Sequence, residues 1–126
     1  MSDRSEQRPV ARVSAEPFVS VIIPNWNGSQ HLATCLGSLR QQTYTRFETI
    51  LVDNGSQDDS LEQVEGHFPE IRVVALSRNL GFAGGVNAGI RAASGEVIAL
   101  LNNDTETDPH WLEEMVLGLT RYPQAG

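Results

Sequence analysis

With 126 residues, the chain is long enough for one domain with a real core and short for a complete enzyme. Nine Lys and Arg against sixteen Asp and Glu give a formal net charge of −7, so a polyanion meets net repulsion over most of the surface and nucleic-acid binding is disfavoured. No apolar stretch approaches the roughly 18 residues of a membrane-spanning helix, the polar start lacks the apolar core of a secretory signal, and Cys35 has no partner for an internal disulfide; the expectation is a cytoplasmic, reducing compartment.

Residues 1–17 are charged, punctuated by proline and aperiodic, which predicts a flexible lead-in, with the folded domain over 18–126. Phe18 to Ile23 is a β-branched apolar run ended by Pro24, the pattern of a buried parallel strand. After Asn25-Trp26-Asn27-Gly28, Ser29 is placed to cap a helix whose Leu32, Cys35, Leu36 and Leu39 recur at i, i+3, i+4 and i+7. Phe47 to Val52 predicts the second strand, and Asp53-Asn54-Gly55-Ser56 a tight bend.

Asp59 and Glu62 have capping-box spacing ahead of a helix that buries Leu61, Val64 and Phe68 and is closed by Pro69. Ile71 to Leu76 predicts a third strand, Gly84 to Ala93 a short helix ended by Ser94-Gly95, and Val97 to Leu101 a fourth strand. Asp108 as N-cap with Pro109 at the first helical position opens a last helix with Trp111, Leu112, Met115, Val116 and Leu119 on one side. Strict β-α alternation calls for a Rossmann-like three-layer α/β/α sandwich with a mainly parallel sheet and right-handed crossovers.

Parallel strands deliver the segments after Ile23, Val52, Leu76 and Leu101 to one edge, where ligands bind in open α/β sheets. That edge carries Asn25, Trp26, Asn27, Asp53, Asn54, Arg78, Asn79, Asn102, Asn103 and Asp104. Asp104 can give one ligand to a hard divalent ion whose shell is completed by phosphate oxygens and water; the plain alternative is an Asx-turn after a strand. Asp53 can accept N3–H of uracil or thymine while disfavouring bases that show an acceptor there, or merely cap its loop. Arg78 can neutralise phosphate or stack on a base, or stand solvated.

The glycines of 81–89 match neither G-x-G-x-x-G nor a Gly-Lys-Ser/Thr phosphate loop, so dinucleotide binding is disfavoured. Asn-Trp-Asn-Gly-Ser likewise fits poorly the basic, Gly-rich loop of a nucleotidyltransferase. Cys35 reads as a core residue, His110 as an exposed first-turn histidine, and Glu113 and Glu114 as a solvated face.

Taken together, Val-Ser-Val-Ile-Ile-Pro-Asn-Trp-Asn-Gly, Ile-Leu-Val-Asp-Asn-Gly-Ser-Gln-Asp, Asn-Leu-Gly-Phe-Ala-Gly-Gly-Val-Asn-Ala-Gly-Ile and Leu-Leu-Asn-Asn-Asp-Thr resemble the successive signatures of family 2 glycosyltransferases of GT-A fold. The Asn-Asn-Asp variant looks like the branch that includes many bacterial rhamnosyltransferases. The resemblance implies that Pro24 and Asn25 line a nucleoside pocket and that Asp53 receives the pyrimidine; Asn27, on the same edge, is counted with the binding residues. It implies that Asn103 lies near ribose or diphosphate and that Asp104 holds Mg²⁺ or Mn²⁺ at the last position of the family's Asp-x-Asp motif; Arg78, read from its own chemistry, completes the expected binding set. Asn102 departs from that motif at its first position, leaving one firm metal ligand.

The implied activity is transfer of rhamnose or another hexose from a dTDP- or UDP-sugar to a polysaccharide or lipid-linked acceptor. The full enzyme would act at the inner face of the cell membrane, with peripheral attachment and homodimerisation compatible with the reading. No residue is assigned as catalytic base, so the expectation is a donor-binding half truncated at its C-terminus. The alternative is a non-catalytic nucleotide-sugar-binding or self-associating module.

Overall fold

The structure, a computed structural model, describes residues 14–121. Its elements alternate as the sequence predicts: β1 (Val19–Asn25), α1 (Ser29–Leu39), β2 (Phe47–Asn54), α2 (Ser60–His67), β3 (Arg72–Leu76), α3 (Gly81–Ala92), β4 (Val97–Leu100) and α4 (Trp111–Arg121). The four strands form one sheet in the order β3-β2-β1-β4, and each neighbouring pair runs parallel. This is the three-layer α/β/α arrangement expected from the sequence.

Alternation along the strands divides the core into two layers. Val19, Val21 and Ile23 of β1, Leu51 of β2 and Ala99 of β4 pack with Leu32, Cys35, Leu36 and Leu39 of α1, Val64 and Phe68 at α2, and Leu112 and Val116 of α4. On the opposite face Ile22, Ile50 and Val52 meet Ala88 of α3, with Val74, Leu76, Ala92 and Ala93 around them. Each fully buried Leu, Ile or Val contributes about 1.5–3 kcal/mol of transfer free energy, so β1 and β2, buried on both faces, anchor everything at their ends. β4 differs: Ile98 and Leu100 face away from the α4 layer and remain 38% and 48% exposed.

The strand order creates the crevice. From β1 the chain moves outward through β2 to β3, then returns to β4 on the other side of β1, making the β1/β4 boundary the topological switch point. The β1–β4 ladder ends at Ile22↔Leu100, with Leu101 N donating to the Ile22 carbonyl. In a parallel ladder alternate residues address alternate neighbours, so Pro24 turns its N–H-free nitrogen to the side where pairing has already stopped. Pro24 therefore does not end β1; the strand continues to Asn25, paired with Asp53.

Several predicted boundaries shift for identifiable reasons. Residues 14–17, assigned to the lead-in, are held against the body: Ser14 N and Oγ donate to Glu96, Tyr44 Oη to the Pro17 carbonyl and Arg46 Nε to the Glu16 carbonyl. The rest of that predicted lead-in lies outside the described residues. Ser29 is the first helical residue and not the cap, which is Gly28, and the Ser29 N–H finds Asp58 Oδ2 at 3.1 Å. Asp59 makes no side-chain cap bond; Asp58 Oδ1 instead accepts from Ser60 N and Oγ, so the Asp59/Glu62 capping box does not form. Helix α3 begins at Gly81, three residues ahead of the predicted start, with Asn79 Oδ1 accepting the Gly81 N–H at 2.7 Å. Helix α4 begins at Trp111, two residues after the predicted start at Pro109; Asp108 accepts His110 N at 2.8 Å in the turn that leads into the helix and is not its N-cap.

Candidate functional site

The carboxyl ends of β1, β2 and β4 are joined by side chains. Asn103, after β4, donates from Nδ2 to Asn25 Oδ1 at 2.8 Å, and Asn25, at the end of β1, donates from Nδ2 to Asp53 Oδ1 at 3.1 Å. Asp53 Oδ2 accepts the Ser56 N–H at 3.0 Å. Ser56 Oγ in turn accepts from Asn27 N at 2.9 Å and from Asn25 Nδ2 at 3.3 Å. Asn25 and Asp53 are 1% and 2% exposed, so each bond is made where an unmet polar group is costly, and the loops are fixed relative to one another.

The backbone cooperates. Asn27 has φ +52°, and its Oδ1 receives the Gln57 N–H at 2.8 Å, tying the β1–α1 loop to the β2–α2 loop. Gly28 lies against the amides themselves: a Cβ there would stand 2.2 Å from Asn103 Nδ2 and 2.5 Å from Asn25 Oδ1. Only a residue without a side chain lets the start of α1 approach this closely.

Of the sequence-predicted residues, Asn25, Asp53 and Asn103 lie in one hydrogen-bonded chain, with Asn27 beside it and Pro24 half-buried on the same strand. Asp104 follows Asn103 at the rim and is exposed. Arg78 is exposed on the β3–α3 loop, whose backbone rests against Gly55. The reading missed Ser56, which receives two donors while holding Asp53, and Asp58, which serves both helix starts; the Asp-Asn-Gly-Ser-Gln-Asp spacing was their only signal. Burial opposes ionisation of Asp58, but the Ser60 hydroxyl and the Ser29 and Ser60 backbone N–H groups outweigh it and hold the carboxyl below the ordinary carboxylate range.

Cys35 sits beneath this rim as a buried free thiol, its Sγ directed at the Asn102 carbonyl. Burial pushes its pKa up to about 11, with the Thr105 N–H opposing and the Asp104 charge adding, so it is a core residue and not a nucleophile. Among the described residues no group of three or more His, Cys, Asp and Glu could hold a metal by itself. A lone exposed carboxylate flanked by amides fits a hard ion that takes most of its ligands from a diphosphate and water. A separate cleft of about 250 Å³, lined by Leu36, Gln42, Phe47 and Thr49 among others, lies toward the opposite end of β2. No helix among the described residues is long and apolar enough to cross a membrane.

Comparison with known proteins agrees with this geometry. The glycosyl transferase family 2 profile matches residues 20–126. The glycosyltransferase AglE of Haloferax volcanii is 35% identical over 108 residues, which cover 82% of this chain and 36% of that protein. The structure of Staphylococcus aureus TarS in complex with UDP superposes with a TM-score of 0.76 at 26% identity, covering 83% of this chain and 32% of that one. A mannosyltransferase of Pyrobaculum calidifontis in complex with GDP-Man and Mn²⁺ has the same fold, with a TM-score of 0.63 at 24% identity over 80% of this chain and 32% of that one. The chain thus spans about a third of the length of these three relatives. On the match across nearly all of its described residues, the chain belongs to glycosyl transferase family 2.

Proposed function

We propose that this chain is the nucleotide-sugar-binding part of a hexosyltransferase that takes its donor from a pyrimidine nucleoside diphosphate sugar. The observation that supports this most is the hydrogen-bonded chain Asn103–Asn25–Asp53 at the switch point, a rigid polar rim joining the ends of three strands. The UDP and UDP-GlcNAc complexes of TarS concern that protein, and they favour a uridine donor here by likeness.

In this reading Pro24, Asn25 and Asn27 wall the nucleoside pocket. Asp53 keeps lone pairs beyond the two bonds it accepts, and a pyrimidine N3–H is the donor suited to one of them. At 2% exposure, Asp53 is met only by a base lying close against the Asn25 and Ser56 floor. Asn103 faces ribose or diphosphate, and Arg78 supplies positive charge for the phosphates. Asp104 would hold Mg²⁺ or Mn²⁺, whose charge, when bound, offsets the negative charge that develops on the departing nucleotide. The sugar is rhamnose or another hexose, and the acceptor a polysaccharide or lipid-linked saccharide.

Calorimetric titration of the chain with UDP, dTDP and GDP, with and without Mn²⁺, tests the reading. Pyrimidine diphosphates should bind more tightly than GDP, and Mn²⁺ should strengthen them. Equal or absent binding of all three contradicts it. A self-associating module is the second reading, favoured by the exposed Ile98 and Leu100 on strand β4. Sedimentation of Leu100→Asp against the unsubstituted chain separates the two, since only self-association is lost.

A further inference from the structure

Asn54, the last residue of β2, addresses a loop far away in sequence. Its Oδ1 accepts from Leu80 N at 2.8 Å and its Nδ2 donates to the Gly81 carbonyl at 2.9 Å, although the side chain is only 4% exposed. The carboxamide thus behaves as an inserted peptide group, satisfying one donor and one acceptor of the β3–α3 loop. Two glycines press the same loop onto it. Gly55 has φ +77°, and a Cβ there would stand 2.6–2.8 Å from the backbone of Arg78 and Asn79. Gly85, one turn into α3, leaves only 3.0 Å between its would-be Cβ and Asn54 Nδ2.

One residue earlier, Asp53 is the centre of the rim network, so Asn54 couples the floor of the site to the loop that carries Arg78. We propose that Asn54 is a positioning residue for nucleotide binding: through its paired bonds to Leu80 and Gly81 it holds Arg78 where the diphosphate is received. The inference rests on the nucleotide-binding reading above and adds a residue that need not touch the ligand. Only an amide serves both partners, because a carboxylate at 54 would set an acceptor against the Gly81 carbonyl and an alanine would leave both groups unmet.

The test compares UDP and uridine binding by the unsubstituted chain, Asn54→Ala, Arg78→Ala and the double variant, by calorimetry. Loss of an Arg–phosphate contact made through position 54 should weaken UDP about tenfold and leave uridine within about twofold. The double variant should bind UDP no worse than Arg78→Ala alone, since both substitutions remove one interaction. Hydrogen exchange at the Leu80 amide of the unsubstituted chain adds a readout that needs no variant. It should be slow although Leu80 is 42% exposed.

Equal loss of UDP and uridine, additive losses with Arg78→Ala, or unprotected exchange at Leu80 overturns the positioning role. Absence of UDP binding by the unsubstituted chain overturns the nucleotide reading itself and this role with it. Unsubstituted binding that Asn54→Ala leaves unchanged overturns the role alone.

Discussion

Asn25 and Asp53, 1% and 2% exposed, form a side-chain hydrogen bond of 3.1 Å that joins the ends of β1 and β2, while Asp53 Oδ2 also holds Ser56 N of the loop before α2. An Asn at position 53 has one acceptor oxygen where the carboxylate offers two. Either Asn25 Nδ2 or the Ser56 N–H then faces a donor. Asp53→Asn should therefore lose about 1–3 kcal/mol of stability, the cost of one unmet buried donor, and bind UDP at least tenfold more weakly. Urea unfolding and calorimetry measure the two; unchanged stability would mean that the bond is not made.

Gly28 and Gly37 predict opposite signs at the two ends of one helix. A Cβ at Gly28 would collide with Asn103 Nδ2 at 2.2 Å and Asn25 Oδ1 at 2.5 Å, whereas one at Gly37 meets nothing within 4 Å. Gly28→Ala should destabilise by roughly 1–3 kcal/mol and weaken nucleotide binding. Gly37→Ala should stabilise by about 0.5–1 kcal/mol and leave binding unchanged. A shared sign in thermal unfolding would contradict the packing of α1 on the rim.

Cys35 sets an alkaline limit. Its thiol pKa is raised from 9.0 to about 11 in the folded chain, chiefly by burial, so the folded state holds this proton more tightly than the unfolded state. The contribution is full below pH 9 and falls by about 2–3 kcal/mol as pH rises through 11. Stability measured from pH 8 to 11 should decline less in Cys35→Ala than in the unsubstituted chain. The native thiol should also react slowly with a thiol reagent at pH 8.

Asp104 is exposed, and the metal assignment depends on its charge alone. Asp104→Asn should change stability by no more than about 0.5 kcal/mol, as an exposed substitution does. It should nonetheless abolish the Mn²⁺-dependent gain in UDP affinity. A gain that survives the substitution places the ion elsewhere.

The strands were legible because their apolar runs are short, rich in β-branched residues and bounded by turn residues, which favours extended over helical burial, and the parallel topology that follows already puts Asn25, Asp53 and Asn103 on one edge. Helix starts were less legible because adjacent side chains compete for them. Asp58 and Asp59 offer the same chemistry, and it is Asp58 that takes both the Ser29 N–H of α1 and the Ser60 N–H of α2. The start of α3 at Gly81 reflects Asn54 reaching across 27 positions, which no local pattern shows. Ser56 was hidden for a similar reason: its hydroxyl is committed to Asn25 at the end of β1 and to Asn27 in the loop that follows.

The most direct measurement is a crystal structure of the chain soaked with UDP and Mn²⁺. The account predicts uracil against Asp53, the diphosphate beside Asn103 and Arg78, and the ion within roughly 2.0–2.6 Å of an Asp104 oxygen, the range of hard cations on oxygen. Nucleotide density in the cleft near Phe47 and Thr49, or an ion remote from Asp104, would contradict it.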